Sequence, residues 1–263
     1  MTTHAATLYL DRLAAVIFDL DGVVTDTAGT HARAWKRTFD EFLARYRDQA
    51  MAEQAPFDLD ADYLRFVDGK PRLAGARAFL ESRGIILPEG SAARRRGEES
   101  VESLAEQKTR YFIDDVQRNG VAAFPATVCL ARDLRRGHIR TAVVSSSRNC
   151  ALVLAAASVT TLFDVRVDGT DLERLHLPGK PEPDIFLEAA RRLGTAAHRC
   201  AVVEDALAGV EAGRAGGFGV VIGVDRSGRH DGELYLHGAH VVVNDLNDVN
   251  LVDGIHERVA AGL

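Results

Sequence analysis

The second half of the chain alternates between short apolar runs and amphipathic segments, and this alternation restricts the possible fold more than any other feature. The apolar runs predict strands at 139–145, 163–167, 199–203, 219–224 and 240–243. The intervening segments at 126–136, 149–157, 183–193 and 206–215 carry apolar residues at helical spacing. Strands that are joined by helices pair in parallel, and helices cover both faces of the sheet. The pattern therefore predicts an α/β fold with a Rossmann-like parallel sheet.

The first half of the chain contains one further strand and then a long helical stretch. Val16-Ile-Phe predicts a strand that ends at Asp19, and helices are predicted at 32–46, 60–67, 73–82 and 101–119, with a break at Gly69-Lys-Pro-Arg72. We therefore expect two domains: an α/β core of residues 1–29 and 122–263, and an inserted helical cap of residues 30–121. An insertion after the first strand of such a sheet is placed to act as a lid over the strand ends.

Composition excludes several classes of partner. The chain has 263 residues, of which 46% are hydrophobic, and a net charge of −6. This charge gives no basic field for nucleic acid or an anionic membrane, and no apolar run reaches membrane-spanning length. Without a signal sequence, the expected location is the cytoplasm, and a monomer is the default. Cys129, Cys150 and Cys200 lie in apolar contexts that predict buried thiols in a reducing compartment.

Two carboxylates stand where the first predicted strand ends. Asp19 and Asp21 are two positions apart, and Gly22 allows the chain to bend there. Ligands of open α/β sheets bind beyond the carboxyl ends of the strands, and two acids at such a place repel each other unless they share a metal or a proton. The alternative is an ordinary Asp-Leu-Asp-Gly turn on the surface.

Polar residues also follow the later strands. Ser145-Ser-Ser-Arg-Asn149 opens a predicted helix, which suits either a phosphate site or simple N-capping. Lys180 lies between prolines and can neutralise charge or belong to a solvated loop, and Glu204-Asp205 form a second acidic pair at a strand end. Together these segments supply carboxylates for a hard cation, and hydroxyl, N–H and ammonium groups for phosphate.

These segments occur in the order of the four motifs of the haloacid dehalogenase superfamily of phosphotransferases, which the chain resembles. The matching positions are Asp19-Leu-Asp-Gly22, Ser145, Lys180 and Glu204-Asp205. The resemblance implies that Asp19 is a nucleophile that forms an aspartyl phosphate and that Asp21 is the general acid and base. It further implies that Ser145, Ser146 and Lys180 hold the transferring phosphoryl group. The implied cofactor is Mg²⁺, bound by Asp19, Asp21 (through its backbone carbonyl), Glu204 and Asp205.

The beginning of the cap is similar to the segment that follows the nucleophile in β-phosphoglucomutases. This similarity implies sugar-phosphate contacts for Thr27, His31 and Trp35, and for Lys108 through an alignment that needs a gap. Arg72 corresponds to an arginine that binds the phosphate that is not reacting, and Ser147 and Asn149 would complete that pocket. Each residue also has an ordinary interpretation: Trp35 as helix core, His31 as a capping or surface residue, Arg72 as a solvated loop residue.

The resemblance therefore implies a β-phosphoglucomutase that interconverts β-glucose 1-phosphate and glucose 6-phosphate, with a sugar phosphate as its small-molecule partner. A phosphatase of the same superfamily is the first alternative, and a non-catalytic ligand-binding protein on this fold is the second. The chain departs from the family pattern by extra cap segments at 48–57 and 94–99 and by a long loop at 168–178.

Overall fold

The computed structural model describes residues 5–50, 54–88, 99–226, 228 and 232–253. The chain divides into two compact units, a core of Met1–Asp26 with Ala122–Leu263 and a cap of Thr27–Val121. The first crossing between the units thus lies between residues 26 and 27, rather than between 29 and 30 as predicted, and Thr27 belongs to the cap.

A six-stranded parallel sheet forms the centre of the core, and its presence confirms the predicted α/β fold class. The strands of this sheet are β2 (Ala15–Asp19), β3 (Arg140–Ser145), β4 (Val165–Asp168), β5 (Cys200–Glu204), β6 (Val220–Val224) and β7 (Val241–Val243). Every residue of β2 and of β5 is buried. Strands buried on both sides require covered faces, which explains why they read as continuous apolar runs.

The order of the strands places the end of β2 at the point where the chain reverses its direction of winding. The sheet runs β4-β3-β2-β5-β6-β7, so β3 and β5 flank β2 on opposite sides. Asp19 pairs with Val144, and Phe18 pairs with Val203. A crevice at such a switch point is where open α/β sheets bind ligands, so Asp19 stands at the expected place.

Helices connect the strands of the core. They are α4 (Pro125–Arg136), α5 (Cys150–Ala156), α6 (Gly169–Leu175), α7 (Asp184–Arg192), α8 (Leu207–Ala215) and α9 (Glu233–Leu236), with short 3-10 turns at Thr160–Leu162, Ala197–Arg199 and Leu246–Asp248. The expectation of a long loop at 168–178 is wrong, because Asp168 ends β4 and caps α6 by accepting a hydrogen bond from the backbone N–H of Thr170 at 2.9 Å. The Asp168-Gly-Thr-Asp171 run forms a reciprocal capping box there.

A second, two-stranded sheet was not predicted. β1 (Ala6–Tyr9) pairs in parallel with β8 (Val249–Val252), from Ala6 opposite Val249 to Tyr9 opposite Val252. Each strand is only four residues long, too short for a period-2 pattern to stand out from its neighbours.

The cap consists of α1 (Ala28–Ala50), a π-helical turn (Tyr63–Val67), α2 (Arg72–Ser82) and α3 (Val101–Asn119). Its core is aromatic: Phe39 lies 5.0 Å from Trp35 and 4.2 Å from Phe79, measured between ring centroids. Ser100 begins α3 through a capping box, since its hydroxyl accepts from Ser103 N–H at 3.2 Å. The predicted extra segment 48–57 partly extends α1 and partly lies outside the described residues, as does most of 94–99.

One of the three predicted buried thiols is exposed. Cys129 lies on the solvent face of α4, opposite the buried stripe that contains Ala126 and Leu130, so the prediction for it was wrong. Cys150 and Cys200 are buried, and burial raises the pKa of the Cys200 thiol to about 11. Within the described ranges, no helix combines the length and apolar character that a membrane crossing needs.

Candidate active site

Asp19 and Lys180 form a buried ion pair at the carboxyl end of β2. Lys180 Nζ donates to Asp19 Oδ1 and also to Glu204 Oε1 at the end of β5. The Lys180 side chain is only 1% exposed, and those of Asp19 and Glu204 are 7% and 0% exposed. The solvated-loop interpretation of Lys180 is therefore wrong, because its ammonium lies between two buried carboxylates.

The charges of this group depend on one another. Burial raises the pKa of Asp19 well above its ordinary value, the carboxylates of Glu204 and Asp21 act in the same direction, and Lys180 opposes them. Burial alone would lower the pKa of Lys180, but the carboxylates of Asp19 and Glu204 outweigh it and raise that pKa. Asp19 therefore has one ammonium beside it and two other carboxylates that raise its pKa, so a bound cation would favour its ionised form.

Asp21 has a different environment although it is only two residues away. It is half-buried, and its Oδ2 accepts a hydrogen bond from Ser145 Oγ at 2.9 Å. Its backbone N–H donates to Asp19 Oδ2 at 2.9 Å, which fixes the Asp19 carboxylate relative to the backbone of Asp21. One strand end thus presents one carboxylate beside an ammonium and one beside a hydroxyl.

The serine segment after β3 forms a compact loop next to Asp21. Ser145 Oγ accepts from Ser147 N–H at 3.1 Å, and Ser147 Oγ accepts from Asn149 N–H at 3.1 Å. Ser146, Ser147 and Asn149 are half-buried, and in the described part of the chain Asn149 makes no side-chain cap bond to α5. Simple capping by Asn149 therefore does not account for this loop.

Three carboxylates come together as a possible metal site. Asp19, Glu204 and Asp205 each place one oxygen within 4.8 Å of the others. Glu204 Oε2 accepts from the backbone N–H groups of Asp205 and Ala206 at 2.8 and 2.7 Å, and these two hydrogen bonds fix the orientation of the Glu204 carboxylate. All three side chains supply hard oxygen ligands of the kind that divalent cations such as Mg²⁺ prefer.

Two glycines make room for these acids. Gly22 has φ +91°, and a Cβ there would lie 1.8 Å from Asp205 Oδ2. A Cβ on Gly209 of α8 would lie 1.7 Å from Glu204 Oε1. The sequence gives no sign of either steric requirement, because the carboxylate that occupies the space comes from another segment.

Two of the predicted substrate residues, His31 and Lys108, contact each other inside the cap. Lys108 Nζ lies 2.5 Å from His31 Nδ1, and the His31 ring stacks on Phe112 at 4.0 Å between centroids. Lys108 also lies 5.3 Å from the centre of the Trp35 ring. Both His31 and Lys108 are buried, so the surface interpretation of His31 is wrong.

Thr27, Trp35 and Arg72 occupy three different places in the cap. Thr27 is buried just before α1, where its carbonyl accepts from His31 N–H at 2.9 Å. Trp35 is buried in the aromatic core, as its ordinary interpretation predicted. Arg72 is the half-buried first residue of α2 and not part of a solvated loop.

Arg226, which lies just beyond the end of β6, was not among the predicted site residues. Its guanidinium donates to the carbonyl oxygen of Gly22, in the loop that carries Asp21. The sequence did show an arginine just after a predicted strand of the same sheet, but that strand, β6, is not adjacent to β2.

The fold and the acidic site define the class of this protein: it belongs to the haloacid dehalogenase-like hydrolases, whose family model matches residues 13–217. The chain is 42% identical over 241 residues to the β-phosphoglucomutase of Mycobacterium tuberculosis (strain CDC 1551 / Oshkosh), covering 91% of this chain and 92% of that protein. It is 31% identical over 245 residues to the β-phosphoglucomutase of Bacillus subtilis, covering 93% and 94%. The crystal structure of a Clostridium difficile β-phosphoglucomutase has the same fold, with a TM-score of 0.70 at 24% identity over 95% of this chain and 97% of that one.

Proposed function

We propose that this protein is a magnesium-dependent β-phosphoglucomutase that interconverts β-glucose 1-phosphate and glucose 6-phosphate through β-glucose 1,6-bisphosphate. The observation that carries a mutase over a phosphatase of the same fold is the 42% identity to the mycobacterial enzyme over 91% of this chain. That extent of similarity includes cap as well as core, because the cap occupies Thr27–Val121.

Asp19 is the proposed nucleophile. It is held by Lys180 at the end of a buried strand, so its position is fixed and its charge is compensated. Phosphoryl transfer depends mainly on positioning and charge neutralisation, which is what this ion pair supplies. We assign Ser145, Ser146 and Lys180 to the transferring phosphoryl group.

Asp19, Glu204 and Asp205 would hold Mg²⁺, with the backbone carbonyl of Asp21 as a further ligand. The oxygen-only donor set suits this ion. When bound, Mg²⁺ neutralises charge on the phosphoryl oxygens and on the carboxylates.

Asp21 is the proposed proton carrier in both half-reactions. In the first, the O6–P bond to β-glucose 1-phosphate forms as the Asp19 O–P bond breaks, and Asp21 takes the proton of the 6-hydroxyl. In the second, the carboxylate of Asp19 displaces O1 from the 1-phosphoryl group of the bisphosphate, and Asp21 returns the proton to O1. The hydroxyl of Ser145 orients Asp21 for this exchange.

A mutase needs a second anion site, because its bisphosphate must be held by either phosphate. We assign the phosphate that is not reacting to Arg72 of the cap, whose guanidinium can bind it bidentately, and to Ser147 and Asn149 of the core. Thr27, His31, Trp35 and Lys108 remain proposed substrate-binding positions.

Product analysis tests the reaction. The protein is supplied with β-glucose 1-phosphate, Mg²⁺ and a trace of β-glucose 1,6-bisphosphate, and glucose 6-phosphate and inorganic phosphate are measured together. We expect glucose 6-phosphate without stoichiometric release of phosphate. Phosphate as the main product would establish the phosphatase instead, and no turnover with any sugar phosphate would favour a binding protein.

Arg72→Ala tests the second anion site. Mutase turnover should fall by about 100-fold or more, because a charge-assisted bidentate contact contributes about 3 kcal/mol. Hydrolysis of a small aryl phosphate, which has one phosphate, should change little. Arg118→Ala is the matched cap control, since Arg118 makes an exposed ion pair with Asp114. Equal losses in both assays would contradict this role for Arg72.

A further inference from the structure

Arg226 contacts the loop that follows Asp19 and Asp21, although it comes from the end of a strand that is not adjacent to β2. It follows β6, and β5 lies between β6 and β2 in the sheet. Two strand spacings amount to about 10 Å, so the side chain must extend past the end of β5, where Glu204 and Asp205 stand. Among the cationic side chains, arginine combines this reach with several donors.

The guanidinium contacts both chain segments that adjoin the cap, on the core side. It donates to the carbonyl of Gly22 and, at 3.5 Å, to that of Val23. Its Cζ lies 3.7 Å from the centre of the Phe124 ring, a cation–π contact. Phe124 itself is tied to the first segment, because its N–H donates to Val24 O at 3.0 Å.

The loop that Arg226 contacts contains a glycine, Gly22, directly after Asp21, so its backbone is flexible next to the proposed catalytic carboxylates. Gly22 is at φ +91° and has no Cβ, and Asp205 Oδ2 occupies the space that a Cβ would fill. A glycine in this conformation costs more entropy to fix than other residues, so the position of its peptide depends on hydrogen bonds from outside. Gly22 N–H donates to Thr25 O at 2.8 Å, and Gly22 O accepts a hydrogen bond from the Arg226 guanidinium.

We propose that Arg226 is a positioning residue, which holds the Gly22–Val23 peptides against Asp205 so that the Asp19, Asp21 and Asp205 oxygens are in place before the metal binds. This inference rests on the metal-dependent phosphoryl transfer proposed above. Arg226 touches no reacting atom in this scheme, and its effect passes through the backbone of the loop.

A competing electrostatic effect has the opposite sign, which makes the proposal testable. Burial lowers the pKa of Arg226, while the carboxylates of Asp205, Asp245 and Asp26 act in the other direction, and the guanidinium is cationic at neutral pH. A cation near Asp205 repels Mg²⁺. If Arg226 acted only through its field, its removal would strengthen Mg²⁺ binding, whereas loss of positioning weakens it.

The experiment measures the Mg²⁺ dissociation constant of the metal-free full-length protein by calorimetry, for wild type, Arg226→Met and Arg226→Lys. We expect both variants to bind Mg²⁺ about 10–100-fold more weakly, as is usual when a group that orients a metal site is lost. Lysine keeps the charge but lacks the planar fork that spans two carbonyls, so it should resemble methionine. The kcat for hydrolysis of an aryl phosphate at saturating Mg²⁺ should fall in both.

Tight Mg²⁺ binding by Arg226→Met, or wild-type behaviour of Arg226→Lys, would overturn the proposal. A lower Tm without any change in Mg²⁺ affinity would also overturn it, because it would show a structural role alone. Arg135→Met is the control, since Arg135 donates to Thr161 O at 2.8 Å away from the site. None of these readouts needs a sugar substrate, so they stand apart from the product analysis that tests the mutase.

Discussion

Replacing Gly209 with alanine tests how the buried Glu204 carboxylate is held. A Cβ at position 209 would lie 1.7 Å from Glu204 Oε1 and 2.0 Å from its Cδ, far inside van der Waals contact. Glu204 is fully buried, so either its carboxylate must turn away from Lys180 or α8 must shift. Both movements change the group of charges around Asp19.

The size of the effect follows from the contacts that Glu204 would lose. Its Oε1 accepts from Lys180, and its Oε2 accepts from two backbone N–H groups. Breaking a buried ion pair costs about 3–5 kcal/mol, and alanine returns at most about 1 kcal/mol of helix propensity. We therefore expect Gly209→Ala to lower the free energy of unfolding by about 2–4 kcal/mol, which lowers the Tm by about 4–16 °C.

The assay combines thermal unfolding in the absence of metal with the Mg²⁺ dependence of turnover. Gly213→Ala in the same helix is the control, because the atoms nearest to its Cβ would be methyl groups of Val221 and Val202 at 3.2–3.4 Å and no charged group. In a Glu204→Ala background, Gly209→Ala should cost little, because the group that it collides with is gone. Additive losses in the double variant, or a Gly209→Ala protein with the Tm and Mg²⁺ dependence of wild type, would refute the reasoning.

Two further predictions concern charge. Lys180→Met leaves Asp19 and Glu204 buried without their ammonium, so the metal-free protein should lose about 3–5 kcal/mol and regain part of it with Mg²⁺; a Tm in EDTA equal to that of wild type would contradict this. In Asp171, burial would raise the pKa, but hydrogen bonds from Arg192 and Arg174 outweigh it and lower that pKa to about 2. Its contribution is present above the unfolded pKa and is lost as the pH falls from about 4 to 2. Tm measured over that range should therefore fall less for Asp171→Asn than for wild type, and parallel curves would count against the assignment.

The sequence could predict the fold and much of the site because the polar site residues stand directly at the ends of the apolar strands. The apolar runs before Asp19, Ser145 and Glu204 are buried on both sides, so their ends are sharp in the sequence, and parallel strands bring such ends to one edge. The four-residue strands β1 and β8 lack this contrast. Lys180 illustrates a different difficulty: a lysine between prolines gives no sign of burial until Asp19 and Glu204 are known to enclose it.

The sequence also could not predict which glycines make room for the carboxylates, or that Arg226 contacts the loop after Asp19. Gly22 and Gly209 are needed because of Asp205 and Glu204 respectively, and these relations cross between segments. Arg226 contacts a loop 204 positions away in the chain. Such relations depend on the order of strands in the sheet, which the alternation of strands and helices does not determine.

Asp19 and Asp21 are separated in role by their neighbours, and this separation predicts different responses to the leaving group. Asp19 faces Lys180, and Asp21 faces the hydroxyl of Ser145. A sugar alkoxide needs a proton to leave, whereas an aryl oxide with a low pKa does not. Asp21→Asn should therefore reduce turnover of the sugar bisphosphate by about 10²–10⁴-fold and phosphorylation of Asp19 by an aryl phosphate much less. Asp19→Asn should abolish both reactions. If Asp21→Asn reduced both to the same extent, Asp21 would act through the position of Asp19 and not as the proton carrier, because the backbone N–H of Asp21 donates to Asp19 Oδ2 and a shift of that backbone would move the Asp19 carboxylate.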